Sequence, residues 1–168
     1  MKNTISIILL FSGLLLTSAC GMYSFTGASI DPEAKTISVD YISNKAATIQ
    51  PTLSQVFTER LKDIFIEQTN LNLVDEGGDL AFSGYISQYK IKPIAIQANE
   101  TAGKNRLTIV VKITFKNSYT KENNFEQTFS RYRDFNSTEN ISTIEQSLIE
   151  EITNELTEDI FNKAVVNW

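Results

Sequence analysis

The sequence predicts an α+β domain: two amphipathic helices packed on one face of a four-stranded, mixed and mostly antiparallel sheet, in the order β-α-β-β-β-α. Three observations predict it. Four segments alternate apolar and polar residues with period two, as half-buried strands do. Two longer segments repeat apolar residues every three or four positions, the spacing of a helix with one buried stripe. What remains after an N-terminal leader is long enough for one hydrophobic core.

The leader is residues 1–19. Met1-Lys2-Asn3 is short and positively charged, and Ile5 to Leu16 is apolar apart from Ser6, Ser12 and Gly13. Twelve helical residues reach about 18 Å, short of the roughly 30 Å hydrocarbon core, so the run suits a signal peptide better than a spanning helix. Thr17-Ser18-Ala19 supplies small residues before Cys20-Gly21. The pattern resembles the bacterial lipobox, in which a signal peptidase cuts before an acylated cysteine; Thr17 stands where that motif most often carries Leu. Cys20 is the only cysteine, so it has no disulfide partner within the chain. The expectation is lipidation of Cys20, against the alternative of an ordinary secretory peptide that ends near a buried thiol. One acyl chain anchors only marginally, at roughly 0.8 kcal/mol per buried CH₂, whereas several hold permanently. Gly21-Met22-Tyr23-Ser24 places no Asp beside the cysteine and no acidic run after it. The expected address is therefore the periplasmic side of the outer membrane, lipid-anchored. Residues 20–34, with Gly27 and Asp31-Pro32, read as the lipidated N-terminus and linker, and 35–168 as a single domain.

Within that domain the first strand starts at Lys35, with Ile37, Val39 and Tyr41 on one side and Thr36, Ser38 and Asp40 on the other. The first helix runs from about Leu53 to Thr69, with Leu53, Val56, Phe57, Leu61, Ile64 and Phe65 as its stripe. Thr52 and Gln55 have the spacing of a capping box. Leu71 to Val74 opens a second strand region, interrupted by Asp75-Glu76-Gly77-Gly78-Asp79 and resumed from Leu80 to about Ile91. Pro93 ends that strand, and Ile94 to Lys104 reads as a loop. Arg106 to Phe115 and Phe125 to Phe135 are the third and fourth strands, joined by a polar hairpin connection. The second helix follows a capping-box spacing at Ser142 and Glu145. Its stripe runs from Ile141 through Ile144, Leu148, Ile152, Leu156 and Ile160 to Trp168, and acidic residues fill the other side.

Composition removes several function classes. The chain carries 20 acidic against 15 basic residues, a net charge of −5, which disfavours general nucleic-acid binding. It has no histidine, so the commonest general base and transition-metal ligand is missing. With its one thiol assigned to lipidation, His/Cys zinc sites and Ser-His or Cys-His nucleophiles are excluded. No cofactor, metal site or catalytic residue is expected. The acidic turn at 75–79 lacks the ligand spacing of a calcium loop and reads as a plain hairpin turn.

Taken together, the lipobox with Cys20-Gly21-Met22-Tyr23-Ser24-Phe25-Thr26-Gly27, the block Gly78-Asp79-Leu80-Ala81-Phe82-Ser83-Gly84-Tyr85-Ile86 and the ending Asp159-Ile160-Phe161-Asn162-Lys163-Ala164-Val165-Val166-Asn167-Trp168 resemble the LptE lipoproteins of the Bacteroidota type. The resemblance spans the mature chain and rests on extent and order rather than on one sharp motif. It implies two helices against a four-stranded sheet, a non-catalytic role, an LptD-like outer-membrane β-barrel as partner, and participation in placing lipopolysaccharide in the outer leaflet. The alternatives are a generic periplasmic ligand- or partner-binding lipoprotein and, less favoured, a histidine-free envelope hydrolase.

One candidate site follows from the charges. Lys90, Lys92, Lys104 and Arg106 flank the loop between the second and third strands, concentrating positive charge at one end of an acidic domain. Such groups can neutralise lipopolysaccharide phosphates through charge-assisted hydrogen bonds; the alternative is lysines that protect a strand end from aggregation. Ile94 and Ile96 in the same loop would add an apolar contact for a barrel wall, unless they continue a strand. Arg131 and Arg133 fall among the core-side positions of the last strand and read as cross-strand or partner-facing.

Overall fold

The computed structural model describes residues 30–94 and 103–165. Cys20, Ile96 and Trp168 lie outside these. The elements are β1 (Thr36–Val39), β2 (Ser43–Asn44), α1 (Leu53–Gln68), β3 (Asn72–Leu73), β4 (Leu80–Ile94), β5 (Lys104–Asn117), β6 (Phe125–Asn136) and α2 (Ile141–Val165). The strands form one mixed sheet in the order β3-β1-β4-β5-β6, with β2 also pairing with β4. The α+β class and the element order agree with the sequence. The sheet has six strands rather than four: β3 falls in the strand region expected from Leu71 but is a separate strand paired with β1, and β2 is a two-residue pairing too short to leave a period.

Parallel pairing is confined to β1–β3, β1–β4 and β2–β4, and the long ladders β4–β5 and β5–β6 are antiparallel. Both helices cover one face. From α1, Leu53, Phe57, Leu61, Ile64 and Phe65 are fully buried, and from α2 Ile149, Ile152, Leu156 and Ile160. They meet Ile37, Phe82, Ile86, Ile109, Val111 and Ile113 of the sheet. Phe65 joins the layers, with ring centroids 4.9 Å from Phe82 and 5.0 Å from Phe161. No helix among the described residues is long and apolar enough to cross a membrane.

Several local expectations are corrected. β1 ends at Val39, so Tyr41 is 63% exposed and Ile42 takes the buried place; the chain bends there because the Asp40 N–H donates to the Phe82 carbonyl and the Ile42 N–H to Thr58 Oγ1. Residues 75–79 are not a hairpin turn. β1 lies between β3 and β4, so this segment crosses β1, and it passes so close that a Cβ on Gly78 would sit 2.4 Å from the Ser38 nitrogen. Asp79 fastens the crossing, accepting from the Lys35 and Thr36 N–H groups and the Thr36 hydroxyl.

Neither capping box forms. At α1 the Gln50 side chain accepts from the Thr52 and Leu53 N–H groups at 2.7 and 2.9 Å, taking the role assigned to Thr52. At α2 Asn140 caps instead, its Oδ1 accepting from the Ser142 N–H. Glu145 is drawn away to β4, where it accepts from the Tyr89 hydroxyl at 2.5 Å; burial, and then that carboxylate, push the Tyr89 pKa up.

β4 also runs through Pro93 to Ile94, and the expected loop from Ile94 to Lys104 is correspondingly shorter, since Ile94 pairs with Lys104. Proline is tolerated because β2 stops at the level of Ile86, leaving that side of β4 without a strand among the described residues to receive an N–H.

Candidate functional site

The hairpin end built by β4, β5 and β6 holds the charged residues singled out above. In β4 the register shifts between Ile86 and Gln88, a bulge that re-aims everything beyond it. Tyr89 and Ile91 then share the helix-facing side, and Lys90, Lys92 and Ile94 the outer side. Across the ladder Lys92 pairs with Arg106 and Ile94 with Lys104, and β6 sets Asp134 beside Arg106 and Tyr132 beside Thr108. Cross-strand partners share a face. All four cations, with Ile94, therefore lie on the outer surface of the sheet, which no described element covers.

Their states differ. Arg106 is committed: its Nε and Nη2 donate to the two carboxylate oxygens of Asp134 at 2.7 and 2.9 Å, and its guanidinium stacks 3.6 Å from the Tyr132 ring centroid. This bidentate pairing raises the Arg106 pKa and holds the Asp134 carboxyl below its ordinary value, with Lys104 adding to the second effect. Lys104 is half-buried, whereas Lys90 and Lys92 are exposed and form no ion pair among the described residues. A surface with one paired guanidinium and two exposed ammonium groups can bind phosphate or carboxylate oxygens. Among the described residues no group of three or more acidic, cysteine or histidine side chains is placed to hold a metal.

Ile94 is half-buried at the edge of this surface; Ile96 and Cys20 belong to the residues outside the description. Tyr132 and Asp134 escaped the sequence reading. Counting outward from the β5–β6 connection would have found them, because the pairing of Phe115 with Phe125 fixes that of Arg106 with Asp134.

Arg131 and Arg133 do not join the site. They sit on the helix side of β6 and pair with α2, Arg131 with Asp159 at 2.6 and 2.7 Å and Arg133 with Glu151 and Glu155 at 2.8 and 2.5 Å. The reading of these two as cross-strand or partner-facing is thus replaced by a strand-to-helix clamp.

Comparison with known proteins places this geometry. The sequence profile of the LptE lipopolysaccharide-assembly family matches residues 34–164. No curated protein matches the sequence. Among solved structures, a minor lipoprotein of Acinetobacter baumannii is 13% identical with a TM-score of 0.51, covering 77% of this chain and 91% of its own. An uncharacterized lipoprotein B of Nitrosomonas europaea is 8% identical with a TM-score of 0.51, over 81% and 83%. A hypothetical protein of Chlamydia trachomatis is 8% identical with a TM-score of 0.53, over 80% and 99%. At these identities the similarity is one of fold.

Proposed function

The chain belongs to the LptE lipopolysaccharide-assembly family, and on that premise we propose that it is the lipoprotein subunit of an outer-membrane lipopolysaccharide translocon. In this reading residues 1–19 are removed, acyl chains on Cys20 hold the protein on the periplasmic side of the outer membrane, and residues 20–34 tether the domain. The domain supports an LptD-like β-barrel, and the β4–β5 hairpin end meets lipopolysaccharide or the barrel wall. The role needs no covalent chemistry.

The observation that carries the lipopolysaccharide contact is the convergence of Lys90, Lys92, Lys104 and Arg106 on one surface of an acidic chain that no described element covers. Lys90 and Lys92 are the phosphate ligands in this reading. Arg106, already engaged by Asp134, orders the surface around them, and Ile94 supplies an apolar border.

The test uses the full lipidated chain and purified lipopolysaccharide. Replacing Lys90, Lys92, Lys104 and Arg106 together with Ala lowers affinity at least about tenfold at low ionic strength and flattens its salt dependence. Lys90→Ala with Lys92→Ala costs more than Arg106→Ala. Unchanged affinity in the fourfold variant removes the hairpin end from the account. Cys20→Ser, in parallel, moves the chain from the membrane fraction to the soluble one.

A further inference from the structure

We propose that the free edge of β6 binds an extended, basic segment of another polypeptide, which adds to the sheet as a further strand. β6 ends the strand order, and no described element pairs with its far side. Its register with β5 fixes which backbone groups face that way. The Ser137 N–H donates to the Gly103 carbonyl at 2.9 Å, at the position that continues the pairing of Asn136 with Lys104. Backbone groups alternate in direction along a strand. Phe129, Arg131 and Arg133 therefore bond β5, and Thr128, Ser130, Tyr132 and Asp134 present their N–H and C=O groups outward. Two outward groups are met locally: the Asn136 N–H donates to Glu139 at 2.8 Å, and the Tyr132 carbonyl accepts from Arg133 Nη1 at 3.0 Å. The groups of Thr128 and Ser130 and the Tyr132 N–H have no such partner among the described residues, and all three residues are exposed.

Edge strands are ordinarily defended against pairing by short length, proline, bulges or free charges. β6 carries none of these defences. It is 12 residues long and contains no proline or glycine, and its register with β5 runs unbroken from Phe125 to Asn136. Its four charged side chains are each paired within the chain: Glu126 with Lys112 at 2.5 Å, Asp134 with Arg106 at 2.7 Å, Arg131 with Asp159 at 2.6 Å and Arg133 with Glu155 at 2.5 Å. A strand arriving at Thr128 to Tyr132 thus meets open backbone groups and no unpaired charge from β6 itself.

Charge selects the partner. Glu151, Glu155 and Glu158 recur at four- and three-residue steps on one stripe of α2. The first two reach Arg133 at 2.8 and 2.5 Å, so this stripe overlooks β6. Glu158 is exposed and forms no ion pair among the described residues. A second copy paired edge to edge would set two such acidic helices side by side on one face, which repels. A segment with lysine or arginine at its helix-facing positions meets Glu158 with the opposite charge, while its backbone completes the ladder. This pairing uses neither the basic outer surface nor lipopolysaccharide, so it is independent of the proposed function.

The test takes the full lipidated chain in detergent and a short capped peptide of alternating lysine and threonine. A glutamate–threonine counterpart and a copy N-methylated at every residue serve as controls. Amide hydrogen exchange read by NMR is expected to slow at Thr128, Ser130 and Tyr132 at least about fivefold with about 5 mM lysine peptide. Phe129 and Arg131 are slow with or without it, and neither control has the effect. Ser130→Pro removes one outward N–H and spares the β5 ladder. It lowers the peptide's affinity at least about tenfold, read at Thr128 and Tyr132, while Phe129 and Arg131 stay protected. Glu158→Lys lowers it about threefold. The proposal is overturned if the lysine peptide protects none of these amides, if either control protects them equally, or if Glu158→Lys leaves the affinity unchanged. It is also overturned if they are protected without peptide and increasingly so with protein concentration, the sign of a second copy on the edge.

Discussion

Arg131 and Arg133 occupy positions on β6 where its other helix-facing residues include Phe125, Phe129 and Phe135, yet they stabilise rather than disrupt. Their guanidinium groups reach the carboxylates of α2, so the charges are met. The Glu155 carboxyl is held below its ordinary value of 4.5, first by the Arg133 hydrogen bond. Asp134 is likewise held below 3.8 by Arg106. A carboxyl ionised more readily in the folded chain contributes stability above its unfolded pKa and loses it as pH falls through the folded value. Chemical denaturation should therefore show stability that is level down to about pH 5 and declines below it. Arg133→Met should cost about 1 kcal/mol at neutral pH, since the pairs are partly exposed, and should make that acid decline shallower. Gly84 is the other sensitive residue: a Cβ there would lie 2.1 Å from the Lys112 carbonyl oxygen. Gly84→Ala should destabilise by about 3 kcal/mol, read as a shift in the denaturation midpoint.

At the scale of elements, Phe82 couples strand to helix, with its ring between those of Phe65 and Phe115 at 4.9 and 4.7 Å. Phe82→Ala should cost about 3–5 kcal/mol in thermal or denaturant unfolding, the ordinary price of an aromatic cavity. The same elements explain what was legible in the sequence. Both helices and the long strands declare themselves because each buries one stripe against a common core, and burial writes its period into the residues. Shorter features leave no such mark. The pairing at Ser43–Asn44 is two residues long, Asn72–Leu73 was legible as strand but not as separate from β4, and Pro93 signals an end that the lack of a described neighbour beyond Ile86 makes unnecessary. The capping boxes had correct spacing, but Gln50, Asn140 and Tyr89 competed for the same donors and acceptors and won. The basic hairpin end was legible as four charges near one loop. That they share a face depends on the bulge after Ile86, which alternation alone does not reveal.

For the whole molecule, charge is divided across the sheet. β4 and β5 carry Lys90, Lys92, Lys104, Arg106, Lys112 and Lys116 toward the face that no described element covers, where β6 sets only Glu126 and Asp134 against them. α2 carries Glu145, Glu150, Glu151, Glu155, Glu158 and Asp159 against Lys163 alone. A net charge of −5 thus conceals a positive surface that can meet phosphates and a negative one turned away from them. The family assignment and this polarity support the proposed reading of a lipid-anchored protein that acts by binding partners. The central claim, a translocon subunit, is tested most directly by affinity capture of the tagged, lipidated chain from outer membranes solubilised in mild detergent, with mass spectrometry of what is retained. The account predicts an LptD-sized β-barrel at a stoichiometric ratio. Recovery of the intact lipidated chain with no barrel would contradict it and favour a free-standing periplasmic binding lipoprotein.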